Sequence, residues 1–377
     1  ISEVSPVTTS PFLPTSTKIK FVVTDDQAID PGAISVTLNG TKYTTANGLA
    51  VSGTEKARDV SLGGLQANTT YHAVLAAADS EGETDSRNLY FDTFSSDALV
   101  IESEDYNFEW GEFIDDPVVI PELDEGGNIN WSEKSYIANE GEVLIDYFDN
   151  DEAINPATHR YRPYDGGATM PAQDLERAKF TEAGGAAKGV HDFGLLDIEE
   201  GEWLNYTRTF PKGDYLVYLR QAQFSMPKAV ATLDLVTGDT AEEDQTTEPL
   251  GTFIGSESGV EYRNVPLTNE DGTEPVILSL SGKTTLRLTQ RTTDPEDIYW
   301  KQNYLVFIKY VKPTLALQSS PAVNGPYKTD AGAAIDEASR TVTLGQAGAT
   351  RFYRLSGSAV KIKSIGVANG KVTLRYE

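Results

Sequence analysis

The stretch EGEWLNYTRTFPKGDYLVYLRQA, residues 200–222, decides how the rest of the chain is interpreted. Its first half alternates between apolar and polar side chains, which is typical of a β-strand with one buried face. The PKGD segment at 211–214 contains turn-forming residues, and the run 215–220 is again rich in strand formers. The stretch therefore predicts a β-hairpin whose aromatic side chains chiefly pack in the core. The apolar set of the first strand is Leu204, Tyr206 and Phe210.

The composition of the chain limits the kinds of partner that the protein is expected to bind. The 377 residues include 57 acidic and 31 basic side chains, for a net charge of −26. Nucleic acids and anionic membranes attract basic surfaces, so neither is an expected partner. No run approaches the 18 apolar residues of a membrane span, and the lack of cysteine excludes disulfides and thiolate metal sites. Calcium and neutral ligands suit such a chain, whereas a uronate-rich ligand would need a local basic pocket.

The charge and the turn-rich segments divide the chain into three predicted domains. Residues 101–312 carry a net charge of −24, which is nearly all of the excess acidity. The composition changes near residues 93–99 and again near 309–321. We therefore predict an all-β, multidomain protein with domains at 1–97, 98–312 and 313–377.

The two outer domains resemble common bacterial modules. Short strand-like runs at 17–25, 33–45 and 70–82 predict a β-sandwich similar to bacterial immunoglobulin-like or fibronectin-type-III modules, which usually act as spacers. Two runs at 340–357 and 360–377 predict hairpins. This C-terminal segment resembles the small β-modules that end secreted multidomain bacterial proteins.

The middle segment carries a more specific resemblance. Five motifs occur in one order: IESEDY (101–106), GEWLNYTRTFPKGDYLVYLR (201–220), PLGTF (249–253), LSGKTTLRL (280–288) and KQNYLVF (301–307). Together they resemble family 6 carbohydrate-binding modules over residues 99–312. The resemblance implies a central, jelly-roll-like β-sandwich flanked by the two outer domains.

The same resemblance implies a structural Ca²⁺ ion between the opening and closing strands. The family's ligand positions correspond to Glu102, Glu104 and Asn303. Calcium is a hard cation that takes six to eight oxygen ligands, which two carboxylates and an amide help to supply. Glu102 and Glu104 are two residues apart, so on a strand they would share a face. The alternative is a charged edge strand that meets solvent.

The resemblance also implies sugar binding by aromatic stacking, because pyranose rings present apolar C–H faces. We predict stacking on Trp300 and Tyr262, with Lys301 bonding to hydroxyl groups. The sequence departs from the family at two positions of the usual cleft. Leu195 stands where the family has an aromatic residue, and Lys301 stands where it has an asparagine.

A long insertion at about 115–190 is a second candidate site. Its segment HRYRPYDGG, residues 159–167, concentrates guanidinium and phenol groups that suit the recognition of hydroxyls or carboxylates. The alternative is that this segment anchors the insertion to the sandwich. The predicted binding residues here are Arg160, Tyr161, Arg162 and Tyr164.

These features predict non-catalytic binding of a polysaccharide or oligosaccharide. We expect the chain to belong to a larger glycan-degrading bacterial protein, secreted or at the cell surface, with a covalently linked catalytic domain. One alternative is a structural spacer or adhesin-like fragment. A glycosidase or lyase is the other, although the three histidines lack zinc-site spacing and no nucleophile elbow or phosphate loop occurs.

Overall fold

In the computed structural model, nearly all of the regular secondary structure among the described residues is antiparallel β-strand, so the predicted all-β fold class is confirmed. It divides into two compact units, residues 1–310 and residues 311–377. Within the described residues, no helix is long and apolar enough to cross a membrane. The residues described are 1–117, 122–123, 129–130, 135–137, 139–150, 154, 158–196, 199–224, 227–256, 258–292, 300–312, 314–346, 348, 350–357 and 361–376.

The N-terminal part of the first unit is a β-sandwich of two four-stranded sheets. One sheet has the order β1-β2-β6-β5 and the other has the order β4-β3-β7-β8, and both contribute side chains to one core. Along β7 the buried and exposed positions alternate, as expected for a strand with one core face. The elements are β1 (Ser2–Ser5), β2 (Ile19–Thr24), a 3-10 helix (Pro31–Ala33), β3 (Ser35–Leu38), β4 (Thr41–Tyr43), β5 (Ala50–Thr54), β6 (Ala57–Leu62), β7 (Thr70–Ala78) and β8 (Thr84–Asp92).

The central part of the first unit is a second sandwich with its own core. Its main sheet runs β13-β14-β20-β15-β18-β17-β16-β19, and β19 pairs again with β15, so the strand order closes on itself. The elements are β9 (Leu99–Glu102), β10 (Glu122–Leu123), β11 (Ile129–Asn130), β12 (Tyr147–Phe148), β13 (Thr169–Pro171), α1 (Ala178–Glu182), a 3-10 helix (Ala186–Lys188), β14 (Phe193–Leu195), β15 (Trp203–Gln223), β16 (Lys228–Val236), β17 (Thr247–Ser256), β18 (Arg263–Thr268), β19 (Ile277–Gln290) and β20 (Trp300–Tyr310).

The predicted hairpin at 200–222 is wrong, because these residues form the single long strand β15. Both halves of β15 pair with β19, on either side of an irregularity at the predicted turn. There, the interval from Phe210 to Gly213 on β15 faces the shorter interval from Gly282 to Leu280 on β19. Pro211 has no N–H to give to the ladder, and such a bulge is a position that tolerates proline. The second half of β15 continues along β20, so one strand links the two halves of the sandwich.

The two sandwiches of the first unit meet through an aromatic cluster. Phe94, just after β8, packs against Phe12 and against Tyr218 of β15, with ring centroids 6.2 and 4.9 Å apart. Nearby, the Arg220 guanidinium donates a 2.6 Å hydrogen bond to the carbonyl oxygen of Thr9. Residues 1–310 therefore hold two main cores, joined by this cluster, within one compact unit.

The C-terminal unit has two small sheets, β22-β21-β25 and β23-β24-β27-β26, around one core. The second predicted hairpin is confirmed, with Asn369 and Gly370 at positive φ between β26 and β27. The first is wrong, because β24 pairs with β23 and β27 while β25 pairs with β21. The strands are β21 (Ala316–Ser320), β22 (Lys328–Thr329), β23 (Ala334–Asp336), β24 (Thr341–Gly345), β25 (Phe352–Ser356), β26 (Ile362–Ala368) and β27 (Lys371–Tyr376).

Candidate functional site

A cleft of about 540 Å³ lies between the two sandwiches of the first unit. One wall comes from β7 and β8 of the N-terminal sandwich. The other comes from the end of β15 together with β17 and β18 of the central sandwich. The lining side chains that bear on its chemistry are His72, Tyr90, Arg220, Gln221, Gln223, Tyr262, Arg263 and Asn264.

Three planar groups form a stack in the cleft wall. His72 on β7 lies opposite Tyr90 on β8, and their rings are parallel within 3° at a centroid distance of 4.5 Å. From the central sandwich, the Arg263 guanidinium lies 3.8 Å from the centroid of the Tyr90 ring. His72 is exposed and Tyr90 is half-buried. Because His72 and Arg263 both lie against the Tyr90 ring, the stack presents the exposed ring of His72 at the cleft and ties the two sandwiches together.

Two amide side chains lie in fixed positions along the end of β15. The Nε1 of Trp300 donates to Oε1 of Gln221 at 3.1 Å, and Nε2 of Gln221 donates to Oε1 of Gln223 at 3.1 Å. Gly255 makes room for this pair, because a Cβ atom there would lie 2.2 Å from Nε2 of Gln221. The amides are thus held in a defined orientation, as a binding site requires.

Two polar atoms of the cleft wall have no hydrogen-bond partner among the described residues. Nδ2 of Asn264 donates to the Asp92 carboxylate at 2.8 Å, but its Oδ1 is buried and unpaired. The Nε of Arg263 is also buried and unpaired. A buried polar atom without a partner costs about 1–3 kcal/mol. These are the two polar atoms of the cleft wall whose hydrogen bonding the described residues leave incomplete.

The two predicted stacking residues are not exposed, and this corrects the sequence-based assignment. The Trp300 side chain is 1% exposed and Tyr262 is 2% exposed, so neither offers a free ring face to a sugar. Tyr262 does line the cleft, and burial raises the pKa of its hydroxyl group. Trp300 acts instead from behind the cleft wall, through its bond to Gln221.

The other predicted sugar contacts lie outside the cleft. Lys301 is half-buried, and its Nζ donates to Oε1 of Gln173 at 2.7 Å. Arg160 is exposed and Tyr164 is 56% exposed, so both stay accessible in the insertion. None of these three residues lines the cleft.

Tyr161 and Arg162 are buried, which corrects their assignment as binding residues. The hydroxyl of Tyr161 donates to Oδ1 of Asp105 at 2.6 Å. Arg162 is fully buried, and its Nε donates to Oδ2 of Asp165 at 2.7 Å. Its two remaining nitrogens donate to the backbone carbonyls of residues 106 and 107. These two side chains therefore anchor the insertion, which was the alternative left open by the sequence.

Glu102 is held by basic side chains of the insertion. Its carboxylate contacts Arg177 at 2.5 Å and also contacts Lys179. Burial alone would raise the pKa of Glu102, but Arg177 and Lys179 outweigh it and lower that pKa to about 2. Strand β9 ends at Glu102, so strand alternation does not extend to Glu104. Both oxygens of Glu102 thus have partners within the protein.

Glu104 and Asn303 have the opposite character. Within the part of the chain that the structure describes, Oε2 of Glu104, Oδ1 of Asn303 and the hydroxyl of Ser103 are buried without a hydrogen-bond partner. The backbone N–H of Ser103 donates to the carbonyl of Asn303 at 2.9 Å, so the two segments are adjacent. Burial, and then Glu102 and Asp105, raise the pKa of Glu104 well above its usual value. Hard oxygen ligands without partners fit the chemistry of Ca²⁺. Among the described residues, however, no cluster of three or more His, Asp or Glu side chains could hold a metal ion.

A carboxyl group of near-neutral pKa occurs away from the cleft. Burial, and then Asp149, raise the pKa of Glu202 to about 7. Glu202 and Asp149 line a cavity of only about 20 Å³, which is too small for a sugar ring. The Glu202 oxygens accept hydrogen bonds from the backbone N–H groups of Asn150 and Glu199. This arrangement ties two loops together.

The sequence did not reveal the cleft residues His72, Tyr90, Arg263 and Asn264. Strand alternation in TYHAVL (70–75) does indicate that His72 points away from the core. Nothing local indicates that β8 lies beside β18, which is more than 170 residues further along the chain. The N-terminal sandwich was therefore interpreted as a spacer rather than as one wall of a site.

No protein-family model and no curated protein sequence matches this chain. Solved structures of carbohydrate-binding modules resemble about a third of it. One is a family 6 module with 16% identity, covering 32% of this chain and 76% of that chain at a TM-score of 0.24. Another is the C-terminal family 6 module of a marine laminarinase from Zobellia galactanivorans, with 17% identity, 37% and 90% coverage and a TM-score of 0.23. A third is a family 36 module in complex with calcium and xylotriose, with 15% identity, 33% and 82% coverage and a TM-score of 0.21. Likeness at these TM-scores does not assign the chain to a family.

Proposed function

We propose that this protein binds carbohydrate in the cleft between its first two sandwiches, without catalysis. The observation that best supports this proposal is the composition of the cleft. It combines the stack of His72, Tyr90 and Arg263 with the fixed amide side chains at the end of β15. It also contains the Oδ1 of Asn264, which has no partner among the described residues. Planar groups suit the apolar faces of sugars, and a few fixed polar groups suit their hydroxyls. The five motifs that resemble family 6 modules support the same ligand class.

The proposed setting follows from the sequence resemblance. We take the chain to be part of a secreted or cell-surface glycan-degrading protein that also carries a linked catalytic domain. A pure spacer or adhesin stalk would not need a cleft with unpaired polar atoms in its walls. Such atoms cost stability and are easier to understand where a ligand completes the hydrogen bonding.

The chemistry of the cleft favours binding over hydrolysis. A typical glycosidase places two carboxyl groups on either side of the bond that it cleaves. Among the described residues, no Asp or Glu lines the cleft. The near-neutral carboxyl group of Glu202 lies at the 20 Å³ cavity, where a sugar ring does not fit.

A structural Ca²⁺ ion is a second part of the proposal. Glu104 and Asn303 would hold it through their unpaired oxygens, with Ser103 adjacent. The ion would neutralise the buried Glu104 carboxylate and tie the end of β9 to β20. Glu102 is not needed as a ligand, because Arg177 and Lys179 already hold it.

The test is isothermal titration of the 377-residue chain against neutral and acidic soluble polysaccharides, comparing wild type with Tyr90→Ala and Tyr164→Ala. Tyr90 lies in the cleft, whereas Tyr164 is exposed in the insertion. We expect at least one polymer class to bind, Tyr90→Ala to abolish or strongly weaken that binding, and Tyr164→Ala to leave it unchanged.

Two results would contradict the proposal. Loss of binding in Tyr164→Ala with full binding in Tyr90→Ala would move the site to the insertion. If the folded wild-type chain bound none of the polymers, the carbohydrate-binding function would be rejected and the spacer alternative favoured. Circular dichroism of each variant establishes that a loss of binding is not a loss of fold.

A further inference from the structure

We infer that the cleft selects saccharides that carry a carboxylate group, such as a uronate residue. This inference rests on the proposed function and names the ligand class of the same site. It depends on which charged groups line the cleft and on which of them already have partners inside the protein.

The cleft differs in charge from the rest of the chain. The protein has a net charge of −26, and residues 101–312 account for −24 of it. Yet the described lining residues include two arginines and one histidine, and no acidic side chain. A local basic pocket of this kind can attract an anionic group even though the protein as a whole repels anions.

Arg220 already has its partners and is not the group available to a ligand. Its Nε and one terminal nitrogen donate to the two carboxylate oxygens of Asp174 at 2.7 and 2.6 Å. The same terminal nitrogen also donates to the carbonyl oxygen of Thr9. The Arg220 side chain is almost fully buried, so it holds the sandwiches together.

Arg263 is the cation that a ligand can use. Its one carboxylate partner within the described residues is Glu261, at 3.4 Å, and that side chain is 40% exposed. An ion pair of this kind in solvent is weak. Most of the Arg263 charge therefore remains available to a ligand. The Nε of Arg263 is buried and has no partner among the described residues, and the guanidinium is held 3.8 Å from the centroid of the Tyr90 ring. A fixed guanidinium matches the geometry of a carboxylate, which can accept two parallel hydrogen bonds from it.

The neighbouring polar groups suit the sugar that carries the carboxylate. Oδ1 of Asn264, in the next residue along β18, is a buried acceptor without a partner among the described residues. His72 is exposed and stacks on the Tyr90 ring. A bare small anion would use only Arg263, whereas an acidic saccharide would use all three groups.

The test measures binding of the full chain to glucuronoxylan, alginate and polygalacturonate, each beside its carboxyl-reduced form. Reduction converts uronates into neutral hexoses and leaves the polymer otherwise matched. We expect at least one native polymer to bind and its reduced form to bind at least tenfold more weakly. Arg263→Gln should weaken binding of the native polymer by the same factor. Arg263→Lys should weaken it less, because lysine keeps the positive charge. Arg291→Gln is the matched control, since Arg291 is exposed and outside the cleft.

The outcomes separate this inference from the proposed function. Equal binding of native and reduced polymers, or full binding by Arg263→Gln, would overturn carboxylate selection and leave carbohydrate binding intact. Binding to neutral polysaccharides alone would have the same meaning. Absence of binding to every neutral and acidic polymer by the folded protein would overturn both.

Discussion

The Arg263 guanidinium of the central sandwich lies 3.8 Å from the centre of the Tyr90 ring of the N-terminal sandwich. This contact joins two domains that the sequence places far apart, and it does so inside the candidate binding cleft. Asn264 adds a second link from the same strand, through its bond to Asp92. The cleft therefore depends on how the two sandwiches are joined, and neither of them forms it alone.

The contact between Arg263 and Tyr90 should be measurable as a coupling energy. We expect a double-mutant cycle with Arg263→Met and Tyr90→Leu to give about 0.5–1 kcal/mol in the free energy of unfolding, as for other partly exposed cation–π pairs. Urea denaturation of the two single variants and the double variant provides the values. Pairing Tyr90→Leu with Arg291→Met is the control and should be additive. A coupling energy of zero for Arg263 and Tyr90 would mean that the contact does not join the sandwiches energetically.

The sequence predicted buried faces well and the connections between strands less well. Alternation correctly identified Leu204, Tyr206 and Phe210 as core residues, although Asn205 and Thr207 on the opposite, polar face are buried as well. The turn signal in 211–214 failed because β19 offers a pairing partner on both sides of it. Proline and glycine there produce a bulge in one strand, since tertiary pairing overrides local turn preference.

The candidate site was less predictable than the fold, for a different reason. Trp300 and Tyr262 have the right side chains for sugar stacking, but residue type does not reveal exposure, and both are buried. The cleft itself arises from β8 and β18, which become neighbours only after two sandwiches pack together. Only Tyr262 belongs both to the predicted binding set and to the cleft lining.

Gly255 should be required for the shape of the cleft. A Cβ atom at this position would lie 2.2 Å from Nε2 of Gln221 and 2.3 Å from Oε1 of Gln223. Both contacts are to the ends of flexible side chains, so Gly255→Ala should displace the amides and leave the fold intact. We expect glycan affinity to fall about tenfold, which corresponds to about 1.4 kcal/mol. Gly63→Ala, where the nearest atom would lie at 3.5 Å, is the control in the same titration. Unchanged affinity in Gly255→Ala would show that the amide pair does not contact the ligand.

Arg162 and Arg160 should behave very differently although they are two residues apart. Arg162 is fully buried and bonded to Asp165 and to two backbone carbonyls, so Arg162→Ala leaves the buried Asp165 carboxylate without its cationic partner. We expect a loss of about 3–5 kcal/mol in the free energy of unfolding. Because Arg160 is exposed, Arg160→Ala should lower the free energy of unfolding by no more than about 0.5 kcal/mol. Urea denaturation of both variants checks this, and similar losses in the two would contradict the anchoring role of Arg162.

Glu104 should respond to calcium in a way that separates a metal site from a buried acid. In EDTA, Glu104→Gln should melt at or above the wild-type temperature, because burial and neighbouring acids disfavour the carboxylate. In millimolar Ca²⁺, the wild type should gain stability, by about 2.7 kcal/mol if the ion is at one hundred times its dissociation constant. Glu104→Gln should gain much less. An identical Ca²⁺ response in the two proteins, or no response in either, would reject calcium binding at Glu104.

Glu202 should make the protein less stable as the pH rises toward neutrality. Burial, and then Asp149, raise its pKa from the ordinary 4.5 to about 7 in the folded protein. Between these two values the folded state binds the proton more tightly than the unfolded state, so the free energy of unfolding falls as the pH increases. The contribution is on the order of 2–3 kcal/mol, most of it lost by pH 7. In Glu202→Gln this contribution is absent, so urea denaturation at pH 5 and pH 8 should show a smaller fall than in the wild type. Glu200→Gln, at an exposed neighbouring position, should follow the wild type. Parallel pH profiles for wild type and Glu202→Gln would show that this carboxyl group does not hold its proton more tightly in the folded protein.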